Sequence, residues 1–268
     1  MAVREILVHL DSPEVVDTLV PAAAKLAQRL GAPALTLAAL AEIPVRMSAA
    51  PLPLGLLKAR EARLLNLLDR METRARAAAP GVQIEWRGIV SPTAQTLLAR
   101  WGVRADLIIM SHPGEDSGPM APVDVGAAVL AAGRPVLVVP RPPPEFRFER
   151  VLIGFKSTRE ARAALAAAVP LLGQARRVLI ASVGSAPAND LRDAATFLHG
   201  HDIRAETAIV GDVADSDAAR ALIALAEAEQ SNLLVAGAYG HSRAREQIFG
   251  GVTRTLLAER RLTCLMVH

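Results

Sequence analysis

Short aliphatic runs alternate along the whole chain with longer segments whose apolar residues recur three and four positions apart. Runs at 6–10, 35–40, 82–89, 106–110 and 136–139 predict strands, the first of them aliphatic throughout its apolar positions. Helices are expected between them. Ser12-Pro13-Glu14 reads as a helix start: a hydroxyl cap, a proline at the first helical position, and an acid near the positive end of the dipole. That helix runs to about Leu30 and stops at Gly31. A proline-rich stretch over 44–55 leads to a long helix over about 56–78. Ser91-Pro92 repeats the cap-plus-proline signal and opens a helix to about Trp101, and 123–132 predicts another.

Arg141-Pro142-Pro143-Pro144-Glu145-Phe146 then reads as an extended linker. The same order follows a second time. Strands are predicted at 151–155, 178–183, 205–210, 233–236 and 264–267, and helices at about 159–172, 189–198, 216–229 and 252–260. The halves can be registered. Asp11 falls against Lys156 after strand one, and Gly114 against Gly240 after strand four. Each first helix carries an internal proline, Pro21 and Pro170. The expected organisation is a domain over 1–146 and a second over 147–268. Strands separated by helices imply right-handed crossovers and parallel sheets. The predicted fold class is α/β: two tandem doubly wound domains, each a five-stranded parallel sheet with helices on both faces. Ligands then bind at the carboxyl ends of the strands, where the strand order reverses. That directs attention to the loops after strands one and four.

Composition narrows the function classes. Of 268 residues, 51% are hydrophobic and 3% aromatic, so the core is aliphatic and disorder is excluded. The net charge of +3 comes from 30 basic and 27 acidic residues scattered along the chain, without the clustered basic face of a nucleic-acid binder. A single cysteine excludes an intrachain disulfide. No apolar run reaches the length of a membrane span, and the first residues are too short and charged for a signal peptide, so the expectation is cytoplasmic.

The loop after strand four of the second half carries the chemistry. Ala236-Gly237-Ala238-Tyr239-Gly240 is followed nine residues later by Gly250-Gly251-Val252-Thr253, which opens a helix. Glycines allow close backbone approach to a ligand, and a helix N-terminus presents free N–H groups to an anion. Thr253 adds a hydroxyl in the first turn, and Arg243, Arg245 and Arg254 can neutralise phosphate. The alternative reading is that these glycines serve turns and helix packing alone.

This spacing, Gly-x-x-Gly-x9-Gly, resembles the nucleotide signature of the ATP-binding universal stress proteins. The run from Gly237 through His241 to Arg243, continued by Phe249 to Arg254, is similar to a bacterial form of it. The resemblance covers the chain as two copies. It departs at Gly251, where the family has a Ser or Thr, and at Lys156, where the family usually has Asp or Asn beside the nucleotide. It implies a site made by Phe155, Lys156, Val183, Ala236, Gly237, Tyr239, Gly240, His241, Arg243, Gly250, Gly251, Val252 and Thr253. Lys156 would reach a phosphate and Val183 would offer backbone to the adenine. The implied ligand is ATP, ADP or AMP, with magnesium as an admissible companion, and the implied role is a stress-response regulator. In the first half Asp11 keeps the acid, but strand four runs into Ser111-His112-Pro113-Gly114, and Asp124 stands ten residues on from Gly114. That half reads as a degenerate copy, and Glu115 and Asp116 add charge that repels phosphate. The resemblance also makes strand five an edge in each half, and the two edges are expected to pair antiparallel within the chain.

Other motifs are weaker. Gly154-Phe155-Lys156-Ser157-Thr158 is similar to the tail of a phosphate-binding P-loop but lacks the glycine before the lysine. Cys264, in an aliphatic strand, reads as a buried thiol. Glu227 and Glu229 read as a solvated helix face. The histidines have no metal-ligand spacing, and no nucleophile–base or carboxylate pair is visible, so ATP hydrolysis would be slow or incidental. A homodimer and an unspecified protein partner stay open. An interaction protein that binds no nucleotide is the competing reading.

Overall fold

The computed structural model describes residues 2–42, 54–91, 94–112, 120–121, 123–184, 188–211, 213–238 and 251–268. The first half contains β1 (Glu5–Leu10), α1 (Val16–Leu30), β2 (Ala34–Ala41), α2 (Leu54–Ala78), β3 (Gln83–Val90), α3 (Ala94–Gly102), β4 (Leu107–Ser111), α4 (Val125–Ala132) and β5 (Val136–Val139). The second contains β6 (Arg150–Gly154), α5 (Arg159–Ala168), β7 (Arg177–Val183), α6 (Ala188–His199), β8 (Glu206–Val210), α7 (Ala218–Ala228), β9 (Leu233–Gly237), α8 (Gly251–Ala258) and β10 (Cys264–Val267).

The strands form one ten-stranded sheet in the order β3-β2-β1-β4-β5-β10-β9-β6-β7-β8. Every pairing is parallel except one. β5 and β10 run antiparallel, with Cys264 opposite Val138, Leu265 opposite Leu137 and Met266 opposite Val136. The expected edge-to-edge pairing is therefore present, and it covers two apolar edges that would otherwise invite association. Each half reverses its strand order once, between β1 and β4 and between β6 and β9.

Two apolar layers sandwich this sheet. On one face α1, α2, α5 and α6 contribute Leu19, Leu68, Leu165 and Leu198. On the other, α3, α4, α7 and α8 contribute Leu98, Val129, Leu222 and Leu256. Both layers run through both halves, because alternate residues of β5 and β10 enter each of them.

Three local expectations are corrected. Ser12 does not cap α1, which begins at Val16 behind an uncapped Val15. Ser12 is instead buried at the end of a central strand. The second half's first helix stops at Ala168, and Val169–Leu171 tightens into a 3₁₀ turn at Pro170, whose ring cannot continue an α-helix. The stretch after β5 is no loose spacer: Phe146 and Phe148 are buried at 3% and 5% exposure and stack on one another.

Candidate functional site

The second half's switch point lies between β6 and β9, where Gly154 is in register with Ala236. Phe155 follows β6 and is buried, its N–H donating to Ala181 O at 2.8 Å. Lys156 and Ser157 then turn out to the surface. Thr158 caps α5 by accepting from Ala161 N at 3.2 Å, as a threonine before a helix should. Glu160, in the first turn of α5, has its carboxyl held below the usual range. Its own backbone N–H is the main cause, with help from Thr158 and Arg159.

Gly237 ends β9 against that first turn. A Cβ there would lie 2.5 Å from Ala161 N and 2.6 Å from Glu160 C, so only glycine lets strand and helix approach this closely. Its observed role is packing. Ala238 is buried, donates to Val267 O at 2.8 Å, and has His268 Nδ1 3.1 Å from its carbonyl oxygen. Beside these, β7 ends at Val183, and Gly184 turns the chain away at φ +80°.

α8 opens with Gly251, around which a Cβ would meet nothing within 4 Å. Val252 is half-buried and Thr253 buried. The first-turn N–H groups of this helix have no partners within it. Of the residues expected at the site, Phe155 and Lys156 follow β6, Ala236 and Gly237 end β9 and Val183 ends β7, while Gly251, Val252 and Thr253 open α8. Tyr239, Gly240, His241, Arg243 and Gly250 lie outside the described residues, as does Arg245. Among the described residues no group of His, Cys, Asp and Glu could hold a metal ion. Cys264 is buried, and burial pushes its thiol up to about 12, which makes it inert as a nucleophile.

The first half is built differently at the same place. Asp11 follows β1, and its carboxylate is paired with the guanidinium of Arg141, which lies just beyond β5. Arg141 Nε also donates to His112 O at 2.6 Å, and Ser111 Oγ lies 3.5 Å from Asp11 Oδ1. Asp124 is the N-cap of α4, accepting from Ala127 N at 2.6 Å. Its carboxylate fills the helix end where an anion would sit. Arg141 is the partner of Asp11 that sequence reading missed; nothing local to the proline stretch signals a partner so distant in the chain. Glu227 and Glu229 also proved less free than expected: Glu229 pairs with Arg177, and Glu227 with Arg261 at 2.8 Å.

No protein-family model matches the chain, and no curated protein matches it. Solved structures do. A universal stress protein from Archaeoglobus fulgidus DSM 4304 is similar over 98% of this chain and 95% of its own, with a TM-score of 0.72 and 14% identity. A protein of Pseudomonas aeruginosa UCBPP-PA14, provisionally named a universal stress protein, is similar over 99% and 93%, with a TM-score of 0.60 and 20% identity. A functionally unknown protein of Pseudomonas aeruginosa PAO1 is similar over 99% and 92%, with a TM-score of 0.60 and 19% identity. At these identities the likeness is one of fold.

Proposed function

From the universal-stress-protein fold that this chain shares over nearly its full length, we propose that it is an adenine-nucleotide-binding regulatory protein of the stress-response type. The nucleotide is held by the second half, over 147–268, and the half over 1–146 is the degenerate copy. What carries this reading is the order in the second half: β9 ends at the β6–β9 switch point, and α8 starts at Gly251 after a loop with Gly240 and Gly250 at phosphate-binding spacing. The triphosphate lies along that loop and the first turn of α8, and the positive charges of Lys156, Arg243 and Arg254 offset its own. Adenine packs near Val183. Charge-assisted hydrogen bonds contribute about 1.5–3 kcal/mol each, so three or four give roughly micromolar affinity after the cost of association. Any magnesium enters together with the nucleotide's phosphates.

One observation favours a second reading. Gly237, the first glycine of the spacing, is required for packing β9 on α5 whether or not a nucleotide binds. A protein whose glycines are all of this kind is an interaction module. Titration calorimetry with ATP separates the two. Replacing Gly240 or Gly250 by Val puts a branched side chain where backbone meets phosphate, and is expected to abolish binding while the fold survives. Unchanged affinity in the folded variants, or no affinity in the parent, selects the interaction module.

A further inference from the structure

The helix α2 is longer than its packing on the sheet requires. It runs 25 residues, against 12 in α6, the helix at the same place in the second half. α6 buries Leu191 within its first turn. In α2 the first buried side chain is Leu64, and the residues before it in the helix, 54–63, are exposed or half-buried. About 15 Å of helix, at 1.5 Å per residue, therefore presents no face to the core. A helical segment of that length gains little from its backbone alone and is stabilised by what packs on it. Leu54, at 68% exposure, and Leu65, at 47%, are large apolar side chains left open on this helix.

Leu54, Lys58, Glu61 and Leu65 form one exposed stripe along α2. Their spacing of four, three and four residues is that of a coiled-coil seam. The stripe is turned about 80° from the buried one, made by Leu64, Leu68, Met71 and Ala75. Two contacts show where it faces. Arg74, on the far side of α2 from the stripe, pairs with Asp17 of α1. Arg76, on the same side as the stripe, donates to Ile84 O of β3 at 3.3 Å. β3 is the last strand of the sheet in that direction. The stripe therefore looks outward past the sheet's edge. Neither Lys58 nor Glu61 has an ion-pair partner among the described residues.

This stripe is its own complement when reversed. Laid antiparallel on a second α2, Leu54 meets the other copy's Leu65 and Lys58 meets the other copy's Glu61, and the two-fold axis repeats both pairs. A parallel alignment sets Lys58 on Lys58 and Glu61 on Glu61, which charge repulsion opposes. We propose that the occupant of this face is a second copy of the chain, docked antiparallel through α2. The apolar edges β5 and β10 are already paired with each other within the chain, so this surface is separate from them. It rests on nothing in the nucleotide reading. One helix pair of this length buries less than a standard protein interface, so the dimer is weak and concentration-dependent.

Sedimentation equilibrium of the full-length chain, from about 10 µM to about 1 mM, covers the range of such weak interfaces. The mass is expected to rise from monomer toward dimer. Lys58→Glu and Glu61→Lys each set like charges opposite one another in both inner layers of the helix pair, and each is expected to weaken association about tenfold. Both positions are exposed, so the circular dichroism of the variants should match that of the parent. Mixing the two variants in equal amounts sets the acids of one against the bases of the other, and should restore the parent's association as a mixed dimer. A parent that stays monomeric over the whole range overturns the proposal and leaves this face to a different partner. A dimer that ignores both charge reversals uses another surface and also overturns it, as does a mixture that associates no better than its components.

Discussion

Arg141 and Asp11, 130 positions apart in the chain, form an ion pair that ties the segment after β5 to the carboxyl end of β1. Asp11 is the acid that the family resemblance sets beside a nucleotide, and here an internal cation engages it. Both side chains are largely buried, at 25% and 11% exposure. Removing one partner leaves the other charge in a poorly solvated place. Arg141→Gln is expected to destabilise the chain by about 2–4 kcal/mol in urea unfolding. Asp11→Asn in the same background should recover part of that loss. Purely additive single and double variants would show that the pair is not coupled.

His9 predicts the acid limb of the stability profile. Burial, and secondarily the charge of Arg141, lower its imidazole from 6.5 to about 4, and its Nε2 has no hydrogen-bond partner among the described residues. Between these values the unfolded chain binds the proton and the folded chain does not. Stability from this group is therefore complete above about pH 6.5 and falls as the pH drops toward 4. The loss amounts to about 3 kcal/mol over that window. Urea midpoints measured from pH 7 to pH 4 check it, and His9→Leu should flatten most of the slope. A slope unchanged in that variant assigns the acid sensitivity elsewhere.

Gly237 predicts an effect on folding rather than binding. An added methyl meets backbone atoms of Ala161 and Glu160, which cannot swing aside as a side-chain tip can. Gly237→Ala is expected to cost about 2–3 kcal/mol through overpacking and to lower the melting temperature by several degrees. A variant as stable as the parent would mean that α5 is free to shift.

Much of this architecture was legible in the residue pattern. β5 and β10 coincide with the aliphatic runs at 136–139 and 264–267, because strands buried on both faces read as continuous apolar segments. Their mutual pairing followed from the exposed edges they would otherwise leave. Local signals failed where burial decided the outcome. Ser12 carries the chemistry of a cap, but it sits at the end of a central strand and is enclosed there. Asp124 stands in the sequence where the second half has a glycine of the spacing, and its observed role is the cap of α4. Phe146 and Phe148 follow a proline run that suggests an extended spacer, yet they fill the core between the halves. The Arg141–Asp11 pair left no trace in the sequence, since neither residue has a neighbour whose spacing points to the other.

The central claim is that nucleotide binds once per chain, in the second half. Native mass spectrometry of the purified chain equilibrated with ATP, beside its Gly250→Val variant, tests it most directly. The first half lacks the spaced glycines, its α4 end is filled by Asp124, and Asp11 is engaged by Arg141. The account predicts a single added nucleotide mass on the parent and none on the folded variant. Two nucleotides per parent chain, or one retained in full by the variant, would contradict it.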